Sequence, residues 1–172
     1  LEEGLCGRTT CLYDPFNEGL SGLTYLLPCL QTHSPLDMLV IMLGTNDCKQ
    51  RFSLTAANIA LGMRRLVKKA LEAEVWRDKP NILVIAPGPI LKECELSDVG
   101  KNMGICSDKS YEIAKEYKLI AKELGVGFFD SDSCVTMNDI DFMHLTADSH
   151  KALAKKVSDI IKNTLESKEL KA

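Results

Sequence analysis

Residues Leu36 to Asp47 read LDMLVIMLGTND. An apolar run stops abruptly at Gly44-Thr45-Asn46-Asp47, a cluster of turn formers. Such a run reads as a strand buried on both faces. Downstream, Thr55 is placed to cap a helix. Ile59, Met63, Leu66, Val67, Ala70 and Leu71 follow at helical spacing until Pro80 breaks the pattern. Asn81 to Ala86 (NILVIA) is a second strand, stopped by Pro87-Gly88-Pro89. A polar loop is expected from Glu93 to Ser107. Ile113, Tyr117, Ile120, Ala121 and Leu124 mark a second amphipathic helix that Gly125 ends. Val126 to Asp130 (VGFFD) is a third strand. A last helix is expected from Thr146 to Leu165, with Leu153, Val157, Ile160 and Ile161 on one face, and a charged tail, Glu166 to Ala172, that frays. Upstream, Asp14 to Leu30 reads as an extended loop.

Strand and helix alternate three times. That order implies right-handed crossovers and a parallel sheet covered by helices on both faces. In such sheets ligands bind beyond the carboxyl ends of the strands. The residues of interest are therefore Gly44 to Asp47, Pro87 to Pro89, and Asp130 to His144.

Composition narrows the function. A chain of 172 residues and 19.0 kDa is the size of one domain, residues 1–172. Its formal net charge is −3, which argues against a nucleic-acid partner. The longest apolar run, Met38 to Leu43, is six residues, far short of a membrane span of about 18, so no membrane partner is expected. The seven cysteines form no CxxC pair and no zinc-type spacing with histidine, and no metal site is expected. Free thiols in a reducing compartment, the cytoplasm, are the simplest expectation. Neither GxxxxGK[ST] nor GxGxxG occurs, so no nucleotide or other cofactor is called for. His33 and His150 read as structural or surface residues.

Four residues remain. Asp141 precedes His144 by three positions, close enough to orient the imidazole and stabilise its charged form while it takes a proton from a nucleophile. Alone, Asp-x-x-His is also an ordinary surface-loop pattern. Asn46 offers a side-chain amide just after a strand, although alone it reads as a turn residue. Gly7, in Glu3-Gly4-Leu5-Cys6-Gly7-Arg8-Thr9-Thr10, lets a backbone N–H approach a ligand, and turn geometry alone also explains it.

Together these residues resemble the conserved blocks of the SGNH, or GDSL, hydrolase family. Glu3 to Thr10 looks like its second block, Gly44-Thr45-Asn46-Asp47 like its third, and Asp141-x-x-His144 like its fifth. The arylesterase/acyltransferase branch is especially similar through Arg8-Thr9-Thr10, Tyr25-Leu26-x-Pro28-Cys29-Leu30, Thr32-His33, Ile41 to Asp47, Ala60 to Met63 and Phe128 to Asp130. The resemblance implies a three-layer α/β/α sandwich with a parallel, flavodoxin-like sheet. It implies His144 as general base, Asp141 as its orienting carboxylate, and Asn46 and Gly7 as oxyanion donors. The implied substrate is a short-chain carboxylic ester, with an acyl-enzyme resolved by water or an alcohol. Some relatives assemble into oligomers, which makes Asp14 to Leu30 a candidate interface.

The sequence departs from the family at one point. The Gly-Asp-Ser block that carries the nucleophile is absent. Serines stand at 21, 34, 53, 97, 107, 110, 131, 133, 149, 158 and 167, none within that motif. The expectation is an upstream βαβ unit of roughly 35–50 residues containing the serine. Two rivals remain: Cys6 as nucleophile, and a relative that binds ligands without catalysis.

Overall fold

The computed structural model describes residues 1–169. Three short strands, β1 (Leu39–Ile41), β2 (Ile82–Ala86) and β3 (Gly127–Asp130), form a parallel sheet in the order β1-β2-β3. Leu39 pairs with Ile82, and Val84 with Phe128. The helices are α1 (Gly22–Thr32), α2 (Ala56–Leu71), α3 (Gly100–Met103), α4 (Ser107–Leu124) and α5 (Ala147–Glu169). The crossovers β1-α2-β2 and β2-α4-β3 step across the sheet in one direction. Right-handed connections then place α2 and α4 side by side on one face, where they pack together.

Local chemistry explains the boundaries. Thr55 starts α2 with a reciprocal capping box: its hydroxyl accepts from the Asn58 N–H while the Asn58 side chain accepts from the Thr55 N–H. Gly125 ends α4 in the left-handed conformation, φ 66°. At the other end of α4, the Glu95 carboxylate accepts from the N–H groups of Cys106 and Ser107, each at 3.1 Å. The Ser107 hydroxyl and these amides hold that carboxyl down at about 2, against the pull of its burial.

Ile59, Met63, Leu66, Val67 and Ala70 of α2 and Ile113 and Tyr117 of α4 meet Ile82, Val84 and Ala86 of β2 in one core. All five β2 residues are buried. The outer strands differ from the expectation of burial on both faces. Val40 of β1 and Met42 just beyond it are each 36% exposed, while Ile41 is 6% exposed. The apolar run is two-sided in sequence, but β1 lies at the sheet's edge among the described residues and only its α2 side is fully covered.

Three other segments differ. Residues 22–32 of the expected loop Asp14 to Leu30 and beyond are helix α1. Pro28 hides this helix from pattern reading, and Ser21 at its N-cap makes no side-chain capping bond. Packing overrides them: Leu26 and Leu30 are buried in the core beside α2, and the first free N–H groups, of Gly22 and Leu23, donate to the Thr9 and Thr10 carbonyls at 3.0 and 2.9 Å. The expected loop Glu93 to Ser107 contains a 3-10 turn over Lys92–Leu96 and the short α3. The expected tail is helical through Glu169, and its last three residues lie outside the described ones.

Candidate active site

The loops leaving the strands share one edge of the sheet. Gly44 to Lys49 follow β1, Pro87 to Leu91 follow β2, and Ser131 to Leu145 follow β3. Hydrogen bonds tie the last two sets together: the Ser131 hydroxyl donates to the Ala86 carbonyl at 2.7 Å, and the Leu91 N–H donates to the Phe142 carbonyl at 3.0 Å.

Within the last loop, Asp141 folds back on its own backbone. Its Oδ1 accepts the N–H groups of Met143 and His144 at 3.0 and 2.9 Å, while Phe142 takes a left-handed φ of 62°. That conformation is uncommon for a residue with a side chain and is the kind of strain concentrated at functional sites. It leaves Asp141 Oδ2 facing the His144 ring, with Nδ1 at 2.7 Å. Burial raises the Asp141 carboxyl, but the two amides and the imidazole outweigh it and bring it down to about 2. An ionised carboxylate only accepts, so His144 Nδ1 carries the proton and Nε2 keeps its lone pair. Nε2 has no protein hydrogen-bond partner among the described residues, and the side chain is 62% exposed. This is an imidazole arranged to accept a proton.

Asn46 lies in the 3-10 turn just after β1. It is half-buried, and its side-chain amide makes no hydrogen bond among the described residues. Gly7 occupies the third position of a turn closed by the Arg8 N–H on the Leu5 carbonyl at 3.1 Å. Its φ of 85° suits a residue without a Cβ. Its N–H is likewise unpaired among the described residues.

What joins these two donors is a residue to which sequence reading assigned no role. Asp47 is fully buried, and its carboxylate accepts the Thr10 N–H at 2.9 and 3.1 Å and the Thr10 hydroxyl at 2.5 Å. It clamps the Gly7 loop to the Asn46 turn. Burial raises its carboxyl to about 6, even against these hydrogen bonds and the nearby Lys49 charge. The available signal was position: Asp47 stands next to Asn46 within the quoted block. No hydrogen bond joins His144 to either Asn46 or Gly7. The shared sheet edge relates them.

The Asn46 turn is also fixed from behind. Gly44 has φ 132°, and a Cβ there would meet the Tyr117 hydroxyl at 2.6 Å. That hydroxyl donates to the Leu43 carbonyl at 2.9 Å from a side chain that is fully buried. Gly44→Ala is therefore expected to destabilise the fold by about 3 kcal/mol or more, from backbone strain plus overpacking. Denaturant unfolding checks this. A shift within ordinary surface-mutation range would show that the turn relaxes.

Beyond β2, Gly88, Pro89 and Ile90 are buried, with Ile90 only 1% exposed. The shallow groove beside Asp141 is lined by residues of the 92–99 segment, Leu96 and Val99 among them, and by Ile140 and Phe142. Leu96 and Ile140 stand largely in solvent at its lip, 93% and 82% exposed.

No family model and no curated protein matches the chain. Solved structures do. Est24, a carbohydrate acetylesterase from Sinorhizobium meliloti, is 36% identical over 95% of this chain and 78% of its own, with a TM-score of 0.86. The aryl esterase of M. smegmatis is 36% identical over 92% of this chain and 77% of its own, with a TM-score of 0.79. A further carbohydrate acetylesterase family member from Sinorhizobium meliloti is 31% identical, with a TM-score of 0.86, over 95% and 78%. Similarity at this level over almost the whole chain agrees with the three sequence blocks and the parallel sheet, and the chain belongs to the SGNH/GDSL hydrolase family of esterases.

Proposed function

We propose that this chain supplies the general base, its orienting carboxylate and two oxyanion donors of a serine esterase that cleaves short acyl esters through an acyl-enzyme. The observation that carries the reading is the Asp141–His144 pair: an ionised carboxylate fixes the proton on Nδ1 and leaves Nε2 free. In the reaction, Nε2 takes the proton of a serine hydroxyl as its oxygen attacks the ester carbonyl. The tetrahedral intermediate carries negative charge on the former carbonyl oxygen, and the Asn46 amide and the Gly7 N–H donate to it. The imidazolium then gives its proton to the departing alcohol. Water, or a second alcohol, repeats the sequence to release the acyl group.

The nucleophile we assign to a serine outside these 172 residues, on a segment that pairs with the open edge of β1. The exposed Val40 and Met42 support a cover there, and the absence of any described serine bonded to His144 Nε2 supports the assignment. The free state of all seven cysteines supports a reducing compartment such as the cytoplasm.

Labelling with a fluorophosphonate, followed by peptide mapping, tests the proposal. The expected label sits on a serine of the full-length protein in a peptide not contained in this sequence. A label on any of the eleven serines here relocates the nucleophile, and no label at all removes the enzyme reading. A narrower result concerns the oxyanion. Asn46→Ala is expected to lower kcat by about 10²–10³-fold with KM little changed, since the amide acts on charge that develops only in the transition state. Steady-state kinetics on an aryl acetate reads both parameters. A rise in KM with unchanged kcat would assign Asn46 to ground-state binding instead.

A further inference from the structure

Tyr25 and Cys29 of α1 and His33 at its C-cap recur every four residues and so fall along one side of the helix. Glu3 reaches that face from the segment preceding Gly7. Its Oε1 lies 2.6 Å from His33 Nε2, and its Oε2 accepts the Tyr25 hydroxyl. The Cys29 thiol sulfur, a His33 ring nitrogen and a Glu3 carboxylate oxygen all lie within 4.8 Å of one another. Arg8 pins the same segment, its guanidinium stacked 4.1 Å above the Tyr25 ring and donating to the Glu3 carbonyl at 2.6 Å.

We propose that Glu3, Cys29 and His33 form a binding site for a zinc-class divalent cation, separate from the esterase machinery. One thiolate, one imidazole and one carboxylate are the donor set of borderline-soft metals. Magnesium and calcium prefer oxygen alone. A tetrahedral zinc with bonds of about 2.0–2.3 Å places its ligand atoms roughly 3.3–3.7 Å apart. The present separations, from 2.6 Å for the Glu3–His33 contact to within 4.8 Å for the cluster, bracket that spacing. Small side-chain rotations suffice. Cys29 lies in the last turn of α1 and His33 at its C-cap four residues on, with the His33 N–H donating to the Cys29 carbonyl, so two of the three ligands are held close together. The Glu3 and His33 side chains are 38% and 26% exposed, which gives the ion an entry path and leaves the fourth position to water.

Binding exchanges the Glu3–His33 hydrogen bond for bonds to the metal. The Cys29 thiol gives up its proton to solvent, and the imidazole binds in its neutral form, so affinity rises with pH. The result is a cross-link between the first residues and α1. It would hold the turn that presents Gly7 from the side opposite Asp47. Sequence spacing did not reveal the cluster because its third ligand lies 26 positions before Cys29 along the chain.

The test uses the ions themselves on the protein. Cobalt(II) is expected to give a thiolate-to-metal charge-transfer band, and zinc titrated calorimetrically to bind one ion per chain. Cys29→Ser should abolish the band. Cys29→Ser and His33→Ala should each weaken zinc by at least about 10-fold. Cys6→Ser and Cys134→Ser should leave both readouts unchanged. Cys29→Ser is nearly isosteric, so circular dichroism matching the parent separates lost ligation from lost structure. The proposal is overturned by the absence of a thiolate band, by a band that survives Cys29→Ser, or by zinc affinity indifferent to His33→Ala. In each of those cases Glu3 and His33 form an ion pair and nothing more.

Discussion

Replacing His144 by alanine is expected to lower kcat for ester hydrolysis by about 10⁴-fold or more, with the fold intact. The side chain is 62% exposed, and its hydrogen bond runs to Asp141 alone, so truncation leaves no cavity in the core. What disappears is the imidazole proposed to take the nucleophile's proton. Asp141→Asn tests the same unit from the other side. An amide at this position can offer an N–H to Nδ1, which then must accept, and the proton moves to Nε2. The ring is then in the wrong tautomer, and a loss of about 10⁴-fold is expected, far more than any change in the folded fraction accounts for. Steady-state kinetics with thermal unfolding in parallel reads both variants. Activity retained within tenfold of the parent in His144→Ala would sink the assignment of the general base. Because Asp141 is held at about 2, its protonation is not expected to shape a pH–rate profile above about pH 4.

The second large effect lies in a buried ion-pair cluster outside the four proposed site residues. Asp14 Oδ2 lies 3.2 Å from Lys49 Nζ and 2.8 Å from Arg51 Nη2, with the Asp14 side chain fully buried and Lys49 only 3% exposed. Asp14→Asn leaves the buried Lys49 ammonium without the carboxylate it is hydrogen-bonded to. The expected loss is about 3–5 kcal/mol, seen as a fall in Tm of roughly 10 °C. Asp37→Asn is the control. Its partner Arg77 and Asp37 itself are 61% and 54% exposed, and the expected change is below about 1 kcal/mol. Equal shifts in the two variants would show that the Asp14 cluster is solvated in solution. Burial raises the Asp14 carboxyl, but the Arg51 guanidinium, the Phe16 N–H and the Lys49 ammonium outweigh it and bring the group down to about 2, from an ordinary 3.8. Its folded pKa is depressed, so its contribution is complete above about pH 4 and is lost as pH falls towards 2. Acid unfolding in that window should flatten in Asp14→Asn.

The elements that could be read from the sequence are those whose signal is local. β2 is apolar on both faces because helices or core residues cover both, and its pattern states that directly. Thr55 and Gly125 mark helix ends by chemistry confined to a few residues. α1 is different. Pro28 argues against a helix, and the argument for it comes from α2 and from the Thr9 and Thr10 carbonyls, which are adjacent only after folding. The site divides the same way. Asp141 and His144 are three residues apart and find each other through one turn. The clamp between Asp47 and Thr10 spans 37 positions, as do the partners Asp14 and Arg51, and no periodicity announces either. Burial of a carboxylate between two loops is a property of the tertiary structure alone.

That clamp makes one backbone proton a reporter on the whole site. The Thr10 amide hydrogen is held by a buried carboxylate, so it exchanges with solvent deuterium only when the two loops part. Its exchange rate measures how often the paired donors come undone. The proposed role of Asn46 and Gly7 as preorganised donors predicts that event to be rare, with the Thr10 amide exchanging as slowly as the amides of β2.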